Sequence, residues 1–139
     1  MKILLFDNAG MNYQNGDYYI DKKTGEFAKE LKSFGHEITF FGQIIHNSKK
    51  HTHVYGIRKN GMKVSGLKRR NKILTYVLLY LKSISAVFNS DFIYMFYPNN
   101  FRYVAFLCKL TNKKYGLYIR GMQGIDTRES LKIYKSAYT

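Results

Sequence analysis

The sequence has few of the residues that cross-link or interrupt a small fold. Its one cysteine, Cys108, excludes an internal disulfide and a cysteine-based zinc site and favours a reducing compartment. It has one proline and no tryptophan, but 13 tyrosines and 10 phenylalanines, which is typical of an ordered chain. The apolar run after Met1 and Lys2 is too short for the core of a signal peptide. We therefore expect one ordered cytoplasmic domain of 139 residues.

Acidic residues are scarce as well. There are 9 of them against 23 lysines and arginines, giving a formal net charge of +14, and none lies between Ile38 and Ser90. This excess indicates an anionic partner, such as nucleic acid, lipid headgroups or phosphate. The densest cluster indicates either binding to phosphate or an anionic membrane surface, or simply the solvated start of a helix; it comprises Lys68, Arg69, Arg70 and Lys72.

The first 42 residues predict a strand–loop–helix–strand unit. Ile3–Phe6 is a continuous apolar run, as in a strand covered on both faces. The next helix is expected from Thr24 or Gly25 to Gly35, and a second strand at Ile38–Phe41. Asp7–Lys23, between the first strand and this helix, is longer than the usual connection of about 2–6 residues, so we interpret it as a functional loop.

The later part of the chain repeats this order. We therefore predict an α/β fold, a Rossmann-like parallel sheet with helices on both faces and right-handed crossovers. The further expected elements are a helix at Asn71–Asn89, a strand at Phe92–Tyr97, a helix from Phe101 to about Asn112, a strand at Tyr115–Ile119 and a helix at Thr127–Tyr138.

The helix expected at Asn71–Asn89 is unusually apolar. Lys82, Ser83 and Ser85 interrupt it before the length of about 20 apolar residues that a membrane span needs. We expect it to pack between the sheet and neighbouring elements, and contact with a membrane surface is the alternative.

The segment before that helix contains a turn signal and several histidines. Asn60-Gly61 fits a tight hairpin turn between Val54–Lys59 and Met62–Ser65, one of which could be the third strand of the main sheet. No carboxylate or thiol lies near its histidines, so we expect no metal site; they are His46, His51 and His53.

Several segments together resemble the N-terminal half of a family 4 glycosyltransferase, whose fold is called GT-B. The similar segments cover nearly the whole chain and comprise Met1–Phe6, Tyr18–Ile20, Lys23–Leu31, Phe34–Thr39, the strand from Asp91 into Tyr97-Pro98, and Lys114–Gly121. The resemblance implies an acceptor-side domain that is inactive alone. The nucleotide-sugar donor would bind a C-terminal domain or partner subunit, and the acceptor would be a glycan or lipid-linked molecule in cell-surface polysaccharide synthesis. No cofactor is expected in this chain.

The resemblance and the sheet pattern together suggest site residues. Ligands of open parallel sheets bind where the strands end, so the loops Asp7–Lys23, Tyr97–Asn100 and Arg120–Gly124 should converge. The amides of Thr24 and Gly25 suit a phosphate at a helix N-terminus. Arg120, followed by Gly121, could pair with donor phosphate or an acidic acceptor group, or form a salt bridge with Asp7. Asn15, Tyr18 and Tyr19 could contact a sugar or could simply pack the loop, and the sequence leaves both alternatives open.

Two other functions remain open. The charge alone would suit a basic anion-binding module for nucleic acid or an anionic membrane, although nucleic acid is the less favoured partner because no nucleic-acid-binding motif is present. A nucleotide- or flavin-binding oxidoreductase is less favoured still, because no Gly-x-Gly-x-x-Gly follows the first strand.

Overall fold

A computed structural model of the chain describes residues 1–7, 10–46, 53–68, 71–96 and 103–118. These residues form eight strands and three α-helices, with a one-turn 3₁₀ helix at Arg58–Asn60. In chain order the elements are β1 (Lys2–Asp7), β2 (Met11–Gln14), β3 (Asp17–Asp21), α1 (Lys22–Ser33), β4 (Glu37–His46), β5 (His53–Gly56), β6 (Lys63–Lys68), α2 (Lys72–Phe88), β7 (Phe92–Phe96), α3 (Tyr103–Leu110) and β8 (Lys114–Tyr118).

The strands form one sheet that is mostly parallel. β1 pairs in parallel with β4 and with β7, β7 pairs in parallel with β8, and β4 pairs in parallel with β6. This confirms the parallel sheet built on Ile3–Phe6 and Ile38–Phe41. It also confirms the two later strands, whose expected last residues, Tyr97 and Ile119, lie outside the described part of the chain.

The prediction that Asp7–Lys23 is a long loop is wrong. Most of it forms the β2–β3 hairpin, in which Gln14 pairs with Asp17. The turn residues Asn15 and Gly16 have φ of 49° and 81°, and two successive positive φ values make the turn type that suits the twist of a two-residue hairpin. β2 continues the sheet beside the end of β4, and β3 pairs antiparallel with β2 and β5.

The hairpin predicted at Asn60-Gly61 is also wrong. β5 pairs with β3, and β6 pairs with β4, so the two segments on either side of this dipeptide bond to different strands. Gly61 instead ends the 3₁₀ helix in a left-handed conformation. The expectation that one of these segments is the third strand of the main sheet is confirmed by β6.

Helices cover both faces of the sheet, as predicted, because side chains along each parallel strand alternate between two hydrophobic cores. Ile3 and Leu5 of β1 belong to the core under α1, which includes Ala28. Leu4 and Phe6 belong to the core under α2 and α3, which includes Leu79 and Cys108. The architecture is therefore α/β with a mostly parallel sheet between helical layers.

α2 forms where the sequence predicts it and packs on the sheet and against α3, but through a narrower face than its apolar character suggests. Its buried residues are Thr75, Leu79, Ser83 and Val87, whereas its large aliphatic residues face outward. The small polar side chains allow close packing, and the Ser83 hydroxyl is hydrogen-bonded to the Tyr103 hydroxyl of α3 at 2.7 Å. The prediction that this helix packs against the sheet and a neighbouring element is therefore confirmed, but most of its large apolar side chains lie outside that packing.

Candidate functional site at the carboxyl edge of the sheet

Three neighbouring strands end side by side at the edge where ligands of open parallel sheets usually bind. Asp7, the last residue of β1, lies beside Phe96 of β7, and Phe96 lies beside Tyr118 of β8. We call this the carboxyl edge. The predicted loops after β7 and β8 follow these strand ends, but Tyr97–Asn100 and Arg120–Gly124, including Arg120 and Gly121, lie outside the described residues.

The β2–β3 hairpin extends beyond the carboxyl edge. Phe6 of β1 lies beside Phe41 of β4, whereas Tyr13 of β2 lies beside His46. Five residues of β4 follow Phe41, which corresponds to about 16 Å along the strand. β3 then runs back, since Tyr19 lies opposite Asn12, and α1 starts just after it. The hairpin thus extends the sheet past the carboxyl edge, while α1 still begins near that edge.

A hollow lies at the tip of this hairpin. It has a volume of about 460 Å³ and is lined by Tyr13, Gln14, Asn15 and His46; we call it the tip hollow. The Tyr13 ring lies 5.3 Å from the His46 ring and 5.1 Å from the Tyr18 ring, measured between centroids. Aromatic faces beside amide and imidazole groups suit a polar ligand that also has apolar faces, as a sugar has.

The structure separates the two candidate tyrosines of β3. Tyr18 packs against the core under α1, and the Arg58 guanidinium lies 4.9 Å above its ring. Tyr19 is the next residue of the strand and points to the opposite face, where the Lys59 Nζ lies 5.0 Å from its ring. The hydrogen bond and the electrostatic interaction with Tyr19, together with the nearby Asp17 carboxylate, raise the pKa of Lys59. Tyr18 and Tyr19 therefore cannot act together in one pocket.

A buried carboxylate fixes the base of the hairpin. Asp17 Oδ1 accepts hydrogen bonds from the backbone N–H groups of Tyr18 at 2.7 Å and Arg58 at 2.9 Å, and Oδ2 accepts one from Lys59 at 3.1 Å. These bonds join β3 to the start of the 3₁₀ helix. They satisfy donors that a helix start leaves free, so Asp17 holds the two basic residues beside Tyr18 and Tyr19.

The start of α1 differs from the sequence prediction. The helix begins at Lys22, two to three residues before the expected Thr24 or Gly25. Gly25 is the fourth helical residue, and an amide at that depth bonds within the helix, so it is not a free phosphate donor. Gly25 is buried, and a Cβ there would overlap the Tyr55 ring. Of the two predicted phosphate donors, only the Thr24 amide belongs to the first turn, whose N–H groups have no partner within the helix.

The basic cluster is described in part. Lys68 ends β6, Lys72 begins α2, and both side chains are exposed. Asn71 Oδ1 accepts a hydrogen bond from the Ile73 N–H at 3.2 Å and so caps this helix. The predicted Arg69 and Arg70 lie outside the described residues. The described lysines are thus available to an anionic partner at the N-terminus of α2.

No metal-binding group of three or more histidine, cysteine or acidic residues occurs within the described ranges. His46 contacts Tyr13 instead, while His51 and the side chain of His53 lie outside the description. In the same part of the chain, no helix is both long and apolar enough to cross a membrane.

Sequence reasoning missed the residues that the hairpin brings together. These are Tyr13, Gln14 and His46 in the tip hollow and Asp17, Arg58 and Lys59 at its base. The signal was Asn15-Gly16, a second Asn-Gly dipeptide, which would have paired Tyr13 with Tyr18. The contact between Tyr13 and His46 depends on the pairing of β2 with β4 and has no local signal.

Comparisons with protein-family models, with curated proteins and with solved structures found no match to this chain.

Proposed function

We propose that this chain is the acceptor-side domain of a glycosyltransferase of the GT-B fold, resembling family 4. It would help to move a sugar from a nucleotide sugar to a glycan or lipid-linked acceptor, at the cytoplasmic face of the membrane. The observation that carries the proposal is the carboxyl edge: β1, β7 and β8 end side by side, and an aromatic hairpin projects beside them.

In this proposal the tip hollow holds the acceptor. The Tyr13 and His46 rings offer faces for a sugar ring, and the amides of Gln14 and Asn15 offer donors and acceptors for its hydroxyls. Tyr18 supports Tyr13 from the next strand. Tyr19 points to the other face of β3 and takes no part.

The donor phosphates would lie nearer the sheet. Stabilising the charge that develops on the leaving diphosphate is usually the largest catalytic contribution in such a reaction. The first-turn amides of α1, up to Thr24, suit a phosphate. Arg120 and Gly121 follow the strand that ends beside Phe96, and the planar guanidinium of an arginine suits a phosphate or an acidic acceptor group.

The resemblance assigns the nucleotide-sugar site to a second domain or partner subunit. The chain alone should therefore transfer no sugar, because it would supply one wall of the cleft only. Joined to a donor-binding domain, it should become active.

The test is sugar transfer by the chain with and without its donor-binding half, using labelled nucleotide sugars. Arg120→Ala in the active assembly should lower the rate by roughly tenfold to a thousandfold, the scale for losing one charge-stabilising group. Lys114→Ala is the matched control, because it removes a cation from the opposite end of β8, and the rate should not change.

Turnover by the isolated chain would contradict the half-enzyme proposal. Full activity of the Arg120→Ala variant would contradict the site assignment and leave the class of enzyme open.

A basic anion-binding module without catalysis is the second candidate. It is favoured by the absence of acidic residues from β6, α2, α3 and β8. Its signature would be binding to any DNA duplex that weakens steeply with salt. We expect this binding to be weak, and tight, sequence-independent binding would favour the second candidate.

A further inference from the structure

The outer face of α2 is mostly apolar, and Ser85 is an exposed polar residue within it. Ile73 and Leu81 are 77% and 61% exposed. We call the exposed large side chains of this helix the outer stripe; they are Ile73, Leu74, Val77, Leu78, Tyr80, Leu81, Ile84 and Phe88. At about 3.6 residues per turn they span an arc of about 160°, in which no charged residue lies. A helix that faces water normally has charged and polar side chains on its outer face and apolar ones on its inner face.

The neighbouring helix extends this surface. α3 lies on the same face of the sheet and exposes Phe106 and Leu110. Of the thirteen large apolar side chains that are exposed within the described ranges, ten lie on α2 and α3. Exposed apolar residues scattered singly need no explanation, but a contiguous set marks an interaction surface.

Cations outnumber acidic residues around α2, where the nearby acidic residues are Glu37, which lines a cleft with Lys63 and Lys82, and Asp91, which follows the helix. β6, α2, α3 and β8 contain no acidic residue. Their cations are Lys63, Lys68, Lys72, Lys82, Lys109 and Lys114. Lys63 is paired with Glu37 of β4, and Lys82 Nζ donates a hydrogen bond to the Gly66 carbonyl at 2.7 Å, on the flank of the outer stripe.

We propose that α2 lies in the surface of an anionic membrane, with the outer stripe in the acyl region and the surrounding lysines at the headgroups. An apolar helix face among lysines is the arrangement of helices that lie in the membrane plane, which bind through apolar burial and attraction to anionic lipid. This in-plane position needs no membrane-spanning length, and α2 has 17 residues.

A second copy of this chain is a poorer fit to the same surface. Pairing two outer stripes would bring two mainly cationic faces together, and like charges across an interface oppose association. An anionic bilayer supplies both an apolar interior and opposite charge.

Vesicle co-sedimentation of the full chain tests the proposal. The chain should bind phosphatidylcholine vesicles that contain phosphatidylglycerol at least about tenfold more tightly than vesicles of phosphatidylcholine alone, and high salt should weaken the binding. The double substitution Ile73→Gln and Leu81→Gln should weaken it by about tenfold or more. Phe34→Gln is the matched control: Phe34 is 71% exposed but lies at the end of α1, on the other face of the sheet, so binding should not change.

A fluorescent label reports the orientation directly. Burial raises the pKa of the Cys108 thiol to about 12, so a cysteine introduced by Leu81→Cys can be labelled selectively near neutral pH. A polarity-sensitive dye there should shift to the blue on anionic vesicles, whereas the same dye at Phe34→Cys should not.

Three results would overturn the proposal. They are no binding of the chain to anionic vesicles, equal binding by the double variant and the unchanged chain, and a dimer in solution that the double variant converts to a monomer. The last result would assign the outer stripe to a second copy. The vesicle experiments need no nucleotide sugar, so this inference and the proposed sugar transfer can fail separately.

Discussion

α1 and α2 cover opposite faces of one sheet, and they expose opposite kinds of surface. α1 buries the small residues Gly25 and Ala28 and exposes charged side chains of both signs, among them an exposed Lys22–Glu26 pair at 3.9 Å. α2 buries Thr75 and Ser83 beside Leu79 and Val87, and exposes the outer stripe. An apolar stripe therefore marks an interaction surface, but it does not determine whether the sheet or another partner covers that surface.

The two helices also differ in what their surroundings allow. α1 is an ordinary water-facing helix, since oppositely charged side chains alternate along it. α2 itself has lysines and no acidic residue, and the acidic residues that lie near it are Glu37 at the start of β4 and Asp91 before β7. The exposed face of α1 therefore suits water, whereas the exposed face of α2 suits a partner with an apolar interior and a negatively charged surface.

The largest expected effect is on the inner face of α2. Leu79→Ala should lower the free energy of unfolding by about 2–5 kcal/mol, because it leaves a cavity in the core that Leu79 shares with Phe6 and Val104. Leu81→Ala, two residues away on the outer stripe, should change it by less than about 0.5 kcal/mol. Urea unfolding of both variants measures the difference. Equal costs would mean that both faces of α2 are covered in the free chain.

A smaller effect is expected on the inner face of α1. Gly25→Ala should destabilise the fold by about 1–3 kcal/mol, because a Cβ there overlaps the Tyr55 ring. Alanine's advantage over glycine in a helix, up to about 1 kcal/mol, offsets only part of this cost. Lys29→Ala, at an exposed position of the same helix, is the control and should stay within about 0.5 kcal/mol in thermal or urea unfolding. A stabilised Gly25→Ala variant would contradict the packing of α1 on β5.

Sequence patterns predicted the centre of the sheet and failed at its rim. β1, β4 and β7 are apolar runs buried on both faces, and that environment leaves a direct mark on the sequence. The sequence alone did not show which of the two Asn-Gly dipeptides forms a hairpin turn. The strands on either side of Asn15-Gly16 pair with each other, whereas those on either side of Asn60-Gly61 pair with other strands.

The candidate site was also predictable only in part. Asn15 and Tyr18 were found because they lie in the unexpectedly long segment after β1. Tyr13 and His46 were missed because they meet only through the pairing of β2 with β4, which local sequence does not encode. The outward direction of α2 was missed because periodicity fixes which residues share a face but not what lies opposite.

The most direct test of the outward-facing α2 is methyl NMR of the full chain with a soluble paramagnetic reagent, first free in solution and then with anionic lipid nanodiscs. In the free chain, the methyl signals of Ile73, Leu81 and Ile84 should broaden strongly, while that of Leu79 should not. On the nanodiscs, the three outer signals should become protected. Outer methyl groups as protected as those of Leu79 in the free chain would contradict the outward orientation of this face of α2.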